Sequence, residues 1–234
     1  MSLLYENDFK FQRFETIYIV TTPQKKFVIK FTDEAARQYV ATKIMQLLGV
    51  LTVDILLADT DIFTEVPLIS AILNDLDEEE RSSQFLLMEY RNFYYFEESF
   101  DNEKQVFQFG QMLALDHFLG KGDRVSYEFI DGTNISLQVY ADNIAFDRQT
   151  GDLVLIDNDI FEAKCGREML PFLQGDPSFV NRFLSKVQED FSITSNALVE
   201  GYNTTIAMLT SHKQEIATLA ASYRIRLPCL SLLP

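Results

Sequence analysis

The chain has 234 residues, 47% of them hydrophobic, and 35 acidic side chains against 20 basic ones, for a formal net charge of −15. This is enough apolar material for a sizeable core in one globular unit with two small lobes. The acidic field argues against nucleic acid or anionic lipid as a partner, because both would be repelled.

In chain order, Thr16 to Thr21 reads as a strand that turns through Thr22-Pro23-Gln24 into a second strand, Lys25 to Phe31, carrying Phe27-Val28-Ile29-Lys30. A helix follows at once. Thr32 or Asp33 can cap it, Ala36, Tyr39, Val40, Ile44, Leu47 and Leu48 recur at helical spacing, and Gly49 can stop it in a left-handed conformation. Taken alone, Lys30 is a solvated lysine on an edge strand. The acidic run Asp75 to Glu80 reads as a solvated loop, with a docking surface for a basic partner as the other option. Gln84 to Met88 is a short apolar strand ending in Glu89-Tyr90. A helix over Glu103 to Gly120 places Phe107, Met112, Leu115, Phe118 and Leu119 mostly on one side, with Asp116 inside it as a buried polar anchor.

The stretch from Asp116 to Asp159 carries the chemistry. After LDHFLGKGDR come DNIAF, the turn RQTGD and LVLIDND. Asn143 precedes one apolar run and Asp157 follows the next, with a polar turn containing Gly151 between them, so antiparallel pairing brings both residues to the same end of a hairpin. A carboxylate and an amide there form a hard oxygen site suited to magnesium or manganese. Taken alone, the two residues read as the cap and the end of a surface hairpin.

Past Gly166 the periodicity is helical, with a polar break at Gln174 to Ser178 and apolar positions at intervals of three and four over Phe179 to Phe191 and Thr194 to Tyr223. The apolar tail Leu227 to Pro234 can pack on the domain, bind a partner or act as an export signal. No apolar run is long enough to span a bilayer, and MSLLYENDFK lacks a basic and apolar signal pattern. A cytoplasmic protein is expected, or one exported as an effector without a classical signal peptide. Cys165 and Cys229 have no metal or disulfide spacing and read as buried thiols. His117 and His212 are isolated, which leaves no histidine triad. Asn134-Ile-Ser and Asn203-Thr-Thr match glycosylation acceptors and mean little without a secretory signal.

Over about residues 16 to 165 these features resemble the protein-kinase-like superfamily, and within it the phosphoinositide 3- and 4-kinases and the actin-fragmin kinase. The GKGDR run, Gly120 to Arg124, is similar to the family's GxGDR catalytic loop. The resemblance implies an α+β, two-lobed fold with a small antiparallel-sheet lobe over 1–90 and a mostly helical lobe over 91–234, together a single catalytic domain. It also implies ATP with Mg2+ or Mn2+ as cofactors. Asp123 takes the place of the catalytic aspartate with Arg124 beside it, and Asn143 and Asp157 match the metal-binding pair. Lys30 matches the phosphate-contacting lysine, and the backbone around Met88, Glu89 and Tyr90 would meet the adenine edge. The wide separation of Asp123 and Asn143 favours the actin-fragmin branch, with Val125 to Asp142 as an insertion.

Several positions depart from the family pattern. No glycine precedes Lys30, so no glycine-rich loop exists and the chain is expected to start at the family's second strand. The helix glutamate that should pair with the lysine falls at Gln38, with Glu34 as a substitute. Lys121 stands where the family has an asparagine, and no histidine follows Arg124. The activity implied is transfer of the terminal phosphate to a hydroxyl of a small molecule or of a protein with a basic face. Lys164 and Arg167 alone are too few cations for a phosphoinositide headgroup. The alternatives are a catalytically inactive pseudokinase used as a protein-binding module, and transfer of AMP from ATP.

Overall fold

A computed structural model describes residues 2–5, 8–129, 135–161 and 177–233. Cys165, Lys164, Arg167 and Asn134 lie outside the described residues. The structure is α+β, with an N-terminal antiparallel sheet and a largely helical C-terminal part. It divides into two compact units, Met1–Tyr39 with Val53–Arg91, and Val40–Thr52 with Asn92–Pro234.

The first unit is built on strands β1 (Lys10–Phe14), β2 (Ile17–Thr21), β3 (Lys26–Phe31), β4 (Ile55–Asp59) and β5 (Gln84–Glu89), in the order β1-β2-β3-β5-β4. Strand β1 corrects the expectation that the chain starts with the strand at Thr16. Its sequence KFQRF has no buried residue and only half-buried Phe11 and Arg13, so it carries little apolar signal. It joins β2 through Glu15, whose φ of 54° lies in the left-handed region that non-glycine residues rarely adopt. The β2–β3 turn is closed by Thr22, whose Oγ1 accepts the backbone N–H groups of Gln24 and Lys25.

Alternation on β3 sends Phe27, Ile29 and Phe31 into a core with Tyr18, Val20, Phe85 and Leu87. Helix α3 (Pro67–Asp75), which follows the single turn α2 (Thr60–Phe63), adds Leu68, Ile69 and Ile72 to it. On the other face, Ala35 and Tyr39 of helix α1 (Ala35–Leu47) pack with Ile55, Leu57, Leu86 and Met88. The helix begins where Thr32 accepts the N–H of Glu34 through its side chain and that of Ala35 through its carbonyl, and it stops at Gly49 with φ 68°.

The acidic run is solvent-exposed at Asp75, Asp77, Glu78 and Glu79, as expected, and is also structured. Glu80 and Asp77 form a capping box around a 3-10 turn, and Arg13 donates to both carboxylate oxygens of Glu80 at 2.6 Å. Arg13 also donates to the carbonyl of Asp75, whose carboxylate accepts from the Tyr18 hydroxyl at 2.9 Å. Three of its carboxylates thus bond within the fold, while Glu78 and Glu79 are exposed.

The second unit is organised around helix α4 (Glu103–Leu119), whose Asn102 cap accepts from the N–H of Gln105. Strand β6 (Phe93–Tyr95) precedes it. Strands β7 (Val125–Phe129) and β8 (Ile135–Val139) form a two-stranded ribbon, and β9 (Ala145–Asp147) and β10 (Leu153–Val154) form the hairpin expected around RQTGD, which pairs through β9 with β6. Helices α5 (Pro177–Asp190), α6 (Ala197–Ser211) and α7 (Lys213–Ser222) complete it. The periodic stretch from Thr194 to Tyr223 is thus two helices, separated at His212. Among the described residues no helix is long and apolar enough to cross a membrane.

Helices α4 and α6 approach so closely that each needs a glycine at the contact. A Cβ on Gly110 would stand 2.1 Å from the Leu198 carbonyl oxygen, and one on Gly201 would stand 2.0 Å from that of Phe107. Because both obstacles are backbone, neither can swing aside. Gly110→Ala and Gly201→Ala are therefore each expected to cost at least about 1–3 kcal/mol. Thermal denaturation should show both losses, and Gly122→Ala, whose Cβ meets nothing within 4 Å, should leave the transition unchanged.

Candidate functional site

The site is set by how α4 ends. Gly120 takes φ 73° and donates its N–H to the Asp116 carbonyl, as does the N–H of Lys121 at 2.8 Å. This left-handed termination turns the GKGDR segment back inward. Lys121 is buried, with 2% of its side chain exposed. Its Nζ donates to Oδ2 of Asp123 at 2.9 Å and to the backbone oxygen of Asp157 at 2.5 Å.

Arg124 is 1% exposed and makes three bonds from its guanidinium plane. Nη1 donates to Asp116 Oδ1 at 2.5 Å, and Nη2 to the Ile156 carbonyl at 2.5 Å and to Asn158 Oδ1 at 2.8 Å. Asn158 in turn donates to Thr42 at 3.3 Å, to Thr52 at 3.4 Å and to the Leu155 carbonyl at 3.1 Å. Thr52 donates to that same carbonyl at 2.6 Å. The network explains why Val40–Thr52, written with the N-terminal lobe on sequence grounds, groups with the second unit. Within it Arg124, expected beside Asp123 among the catalytic residues, has its side chain 1% exposed and bonded to Asp116, Ile156 and Asn158.

Asn143 and Asp157 are exposed. Asn143 ends the 3-10 turn Ala141–Asn143, and its Nδ2 donates to the Asp123 carbonyl at 2.6 Å. The insertion between them does not separate them, because β7 and β8 pair along their length and the Tyr140 N–H closes the base of the ribbon on the Arg124 carbonyl at 2.9 Å. Asp157 follows β10 with φ 50°, a left-handed conformation that aspartate tolerates better than most residues. The structure thus ties Asn143 to the Asp123 main chain and links Asp123 with the Asp157 backbone through Lys121.

These residues fit a hard cation on two observations. With its Nδ2 committed to Asp123, Asn143 keeps the amide oxygen for a ligand. Asp123 Oδ1 is buried without a hydrogen-bond partner among the described residues, an acceptor that a cation or a ligand-borne donor would satisfy. No group of three or more His, Cys, Asp or Glu side chains is gathered among the described residues. Magnesium does not require one, since it keeps waters and takes phosphate oxygens.

The other candidates belong to the first unit. Lys30 lies on β3, the middle strand of five, and not on an edge; it is half-buried, opposite Leu86, on the sheet face that also carries Met88. The backbone N–H of Glu89 is taken by the Asp54 carbonyl at 2.9 Å and its carboxylate by Arg91. The Tyr90 ring carries the Lys26 ammonium over its face at 5.0 Å. Gln38 is 7% exposed, and Glu34 accepts from Arg37 on the same helix.

Sequence reasoning missed Asn158, Thr42 and Thr52, and noticed Lys121 only as a departure. A threonine on the buried face of α1 and an asparagine between two aspartates were the available signals. Cys229 is buried. The Asn203 acceptor motif lies within α6, where Thr205 is buried and bonds to the Gly201 carbonyl, so it presents no loop.

Burial raises the Asp116 carboxyl to about 6, against the pull of Arg124 and Lys121. Burial also lowers His117 to about 3, where its Nδ1 shares a 3.1 Å hydrogen bond with the Tyr202 hydroxyl. His117 must charge on unfolding, so its contribution is present above about pH 6.5 and is lost as pH falls toward 3. Asp116 acts in the opposite sense, since its raised pKa favours the fold below about 4 and that share is lost as pH rises through 6. The melting temperature of His117→Asn is expected to fall less than that of the wild type as pH drops from 6.5, in scans across that range. Arg124→Ala strands a buried carboxylate and should cost about 3–5 kcal/mol in denaturant unfolding. Arg124→Lys should recover only part of this, because an ammonium cannot reproduce the planar fork.

No known protein-family profile matches the chain, and no curated protein matches it. Among solved structures, the Helicobacter pylori proinflammatory kinase CtkA aligns over 95% of this chain and 94% of its own, at 10% sequence identity and a TM-score of 0.33. At that score the alignment fixes neither fold nor activity.

Proposed function

We propose that the chain is an ATP-dependent phosphotransferase of the atypical kinase type, passing the terminal phosphate to a hydroxyl of a protein or small molecule. The observation that carries this reading is the tie between the GKGDR loop and the two residues expected to hold metal. Asn143 is bonded to the Asp123 main chain, and Lys121 bonds both the Asp123 carboxylate and the Asp157 main chain. Three segments far apart in sequence supply one carboxylate near an acceptor and one carboxylate with one amide for a cation, which is the set that phosphoryl transfer uses.

In this reading Asp123 orients the acceptor hydroxyl and takes its proton, and the oxygens of Asn143 and Asp157 hold the divalent ion. Bound there, Mg2+ or Mn2+ would neutralise charge on the phosphates. Arg124 is a positioning residue beneath the loop. The five-stranded sheet with a lysine at its centre, leading directly into α1, supports a kinase-like reading of the first unit; the role of Lys30 toward phosphate rests on the resemblance. The net charge of −15 favours an acceptor protein with a basic face over an anionic lipid.

The first unit favours a second reading, an inactive kinase-like binding module. The Glu89 N–H is already committed, Glu34 is engaged by Arg37, and Gln38 carries no charge. Calorimetric titration of a non-hydrolysable ATP analogue, with magnesium, with manganese and with chelator, tests the nucleotide site. Binding is expected to require metal and to be lost in Asp157→Ala. Binding absent under all three conditions would leave the module reading standing. Where an acceptor is labelled, the mass of the adduct separates phosphate from AMP.

A further inference from the structure

We infer that Lys121 is a positioning residue for the transfer step, a built-in cation that holds the Asp123 carboxylate and the Asp157 backbone to each other. The inference rests on the phosphotransferase reading. A lysine side chain with 2% exposure is costly to bury unless its charge is fully used, and a leucine or methionine would fill the same space more cheaply. Both acceptors of its Nζ belong to the proposed site: Oδ2 of Asp123 at 2.9 Å and the Asp157 carbonyl at 2.5 Å. The carbonyl end of α4 lies just behind it, since Lys121 donates its own N–H to Asp116, and a helix C-terminus favours a cation.

Two consequences follow from this geometry. The Asp123 carboxylate cannot rotate freely, because one of its oxygens is fixed by a buried ammonium. The spacing between Asp123 and Asp157 is set by one rigid contact, before any nucleotide arrives. When transfer occurs, the hydroxyl proton passes to the Asp123 carboxylate, the acceptor oxygen bonds to the terminal phosphorus, and the bond from phosphorus to the bridging oxygen breaks, with ADP leaving on its electron pair. Lys121 donates no proton in this sequence. It keeps the base aligned while the charge moves.

The test compares wild type, Lys121→Met and Lys121→Arg in three measurements: thermal melting, calorimetric affinity for the non-hydrolysable ATP analogue with manganese, and ATP turnover with water as acceptor. Lys121→Met is expected to lose about 100-fold in kcat, the scale for removing one preorganised charged contact, with a much smaller change in its affinity for the analogue and its KM for ATP. Lys121→Arg should restore part of that loss. Should Lys121→Met melt below the assay temperature, Lys121→Gln, which keeps a donor and loses the charge, makes the same comparison. Turnover by the uncharged variant equal to wild type would overturn the inference and leave the phosphotransferase reading intact. So would a loss of affinity and melting temperature in parallel with kcat that arginine does not relieve. A wild type that neither binds nor turns over ATP would overturn both.

Discussion

The buried guanidinium of Arg124 is the constraint on which the second unit depends. A cation with 1% exposure is tolerable only if it is well paired, and here three bonds come from two stretches of chain: Asp116 in α4, and the Ile156 carbonyl and Asn158 amide beyond β10. Asn158 passes the connection on to Thr42 in α1 and Thr52 after it. Removing any member leaves an unpaired polar group in a dry setting, so the network acts as one cooperative element. It also fixes where the exposed residues stand. Asp123 is next to Arg124 and Asp157 is next to Asn158, so the candidate chemistry sits one residue outside a rigid buried frame.

Charge is distributed between two tasks that are kept apart. Arg124 pairs with Asp116, which faces no ligand, while Lys121 pairs with Asp123, whose side chain is 44% exposed. The first pair secures the loop and the second conditions a group at the surface. The chain carries an acidic surplus, yet where carboxylates crowd in the first unit Arg13 ties down Asp75 and Glu80. The remaining negative charge is spread over the surface, where it bears on the choice of partner and not on the frame.

Most of the elements were legible because their signals are local. The β2–β3 hairpin, α1 with its stop at Gly49, β5, α4 with its stop at Gly120, and the β9–β10 hairpin all follow from periodicity and turn residues within one window of chain. Strand β1 was illegible because KFQRF is mixed in polarity and gains its strand character from pairing with β2. The division at His212 was hidden because apolar periodicity runs through it. The proximity of Asp123, Asn143 and Asp157 was legible only in part, since motif and hairpin geometry pointed to these three residues but not to the Lys121 contacts between them. The burial of Arg124 was not legible, because sequence cannot tell a charged side chain facing a ligand from one turned into the core.

Lys121 shows the same limit from the other side. In the sequence it is a lysine where the resembled family has an asparagine, and taken alone it counts as a loss. In the fold the substitution is compensated: an asparagine side chain is too short and uncharged to bridge a carboxylate and a main-chain oxygen on another segment, whereas a lysine stem spans both and brings a charge. A departure from a motif therefore weighs against activity only after its contacts are known. Here the departing residue contacts the proposed base and the backbone of the proposed cation ligand, so it is part of the arrangement that any transfer chemistry at this site would use.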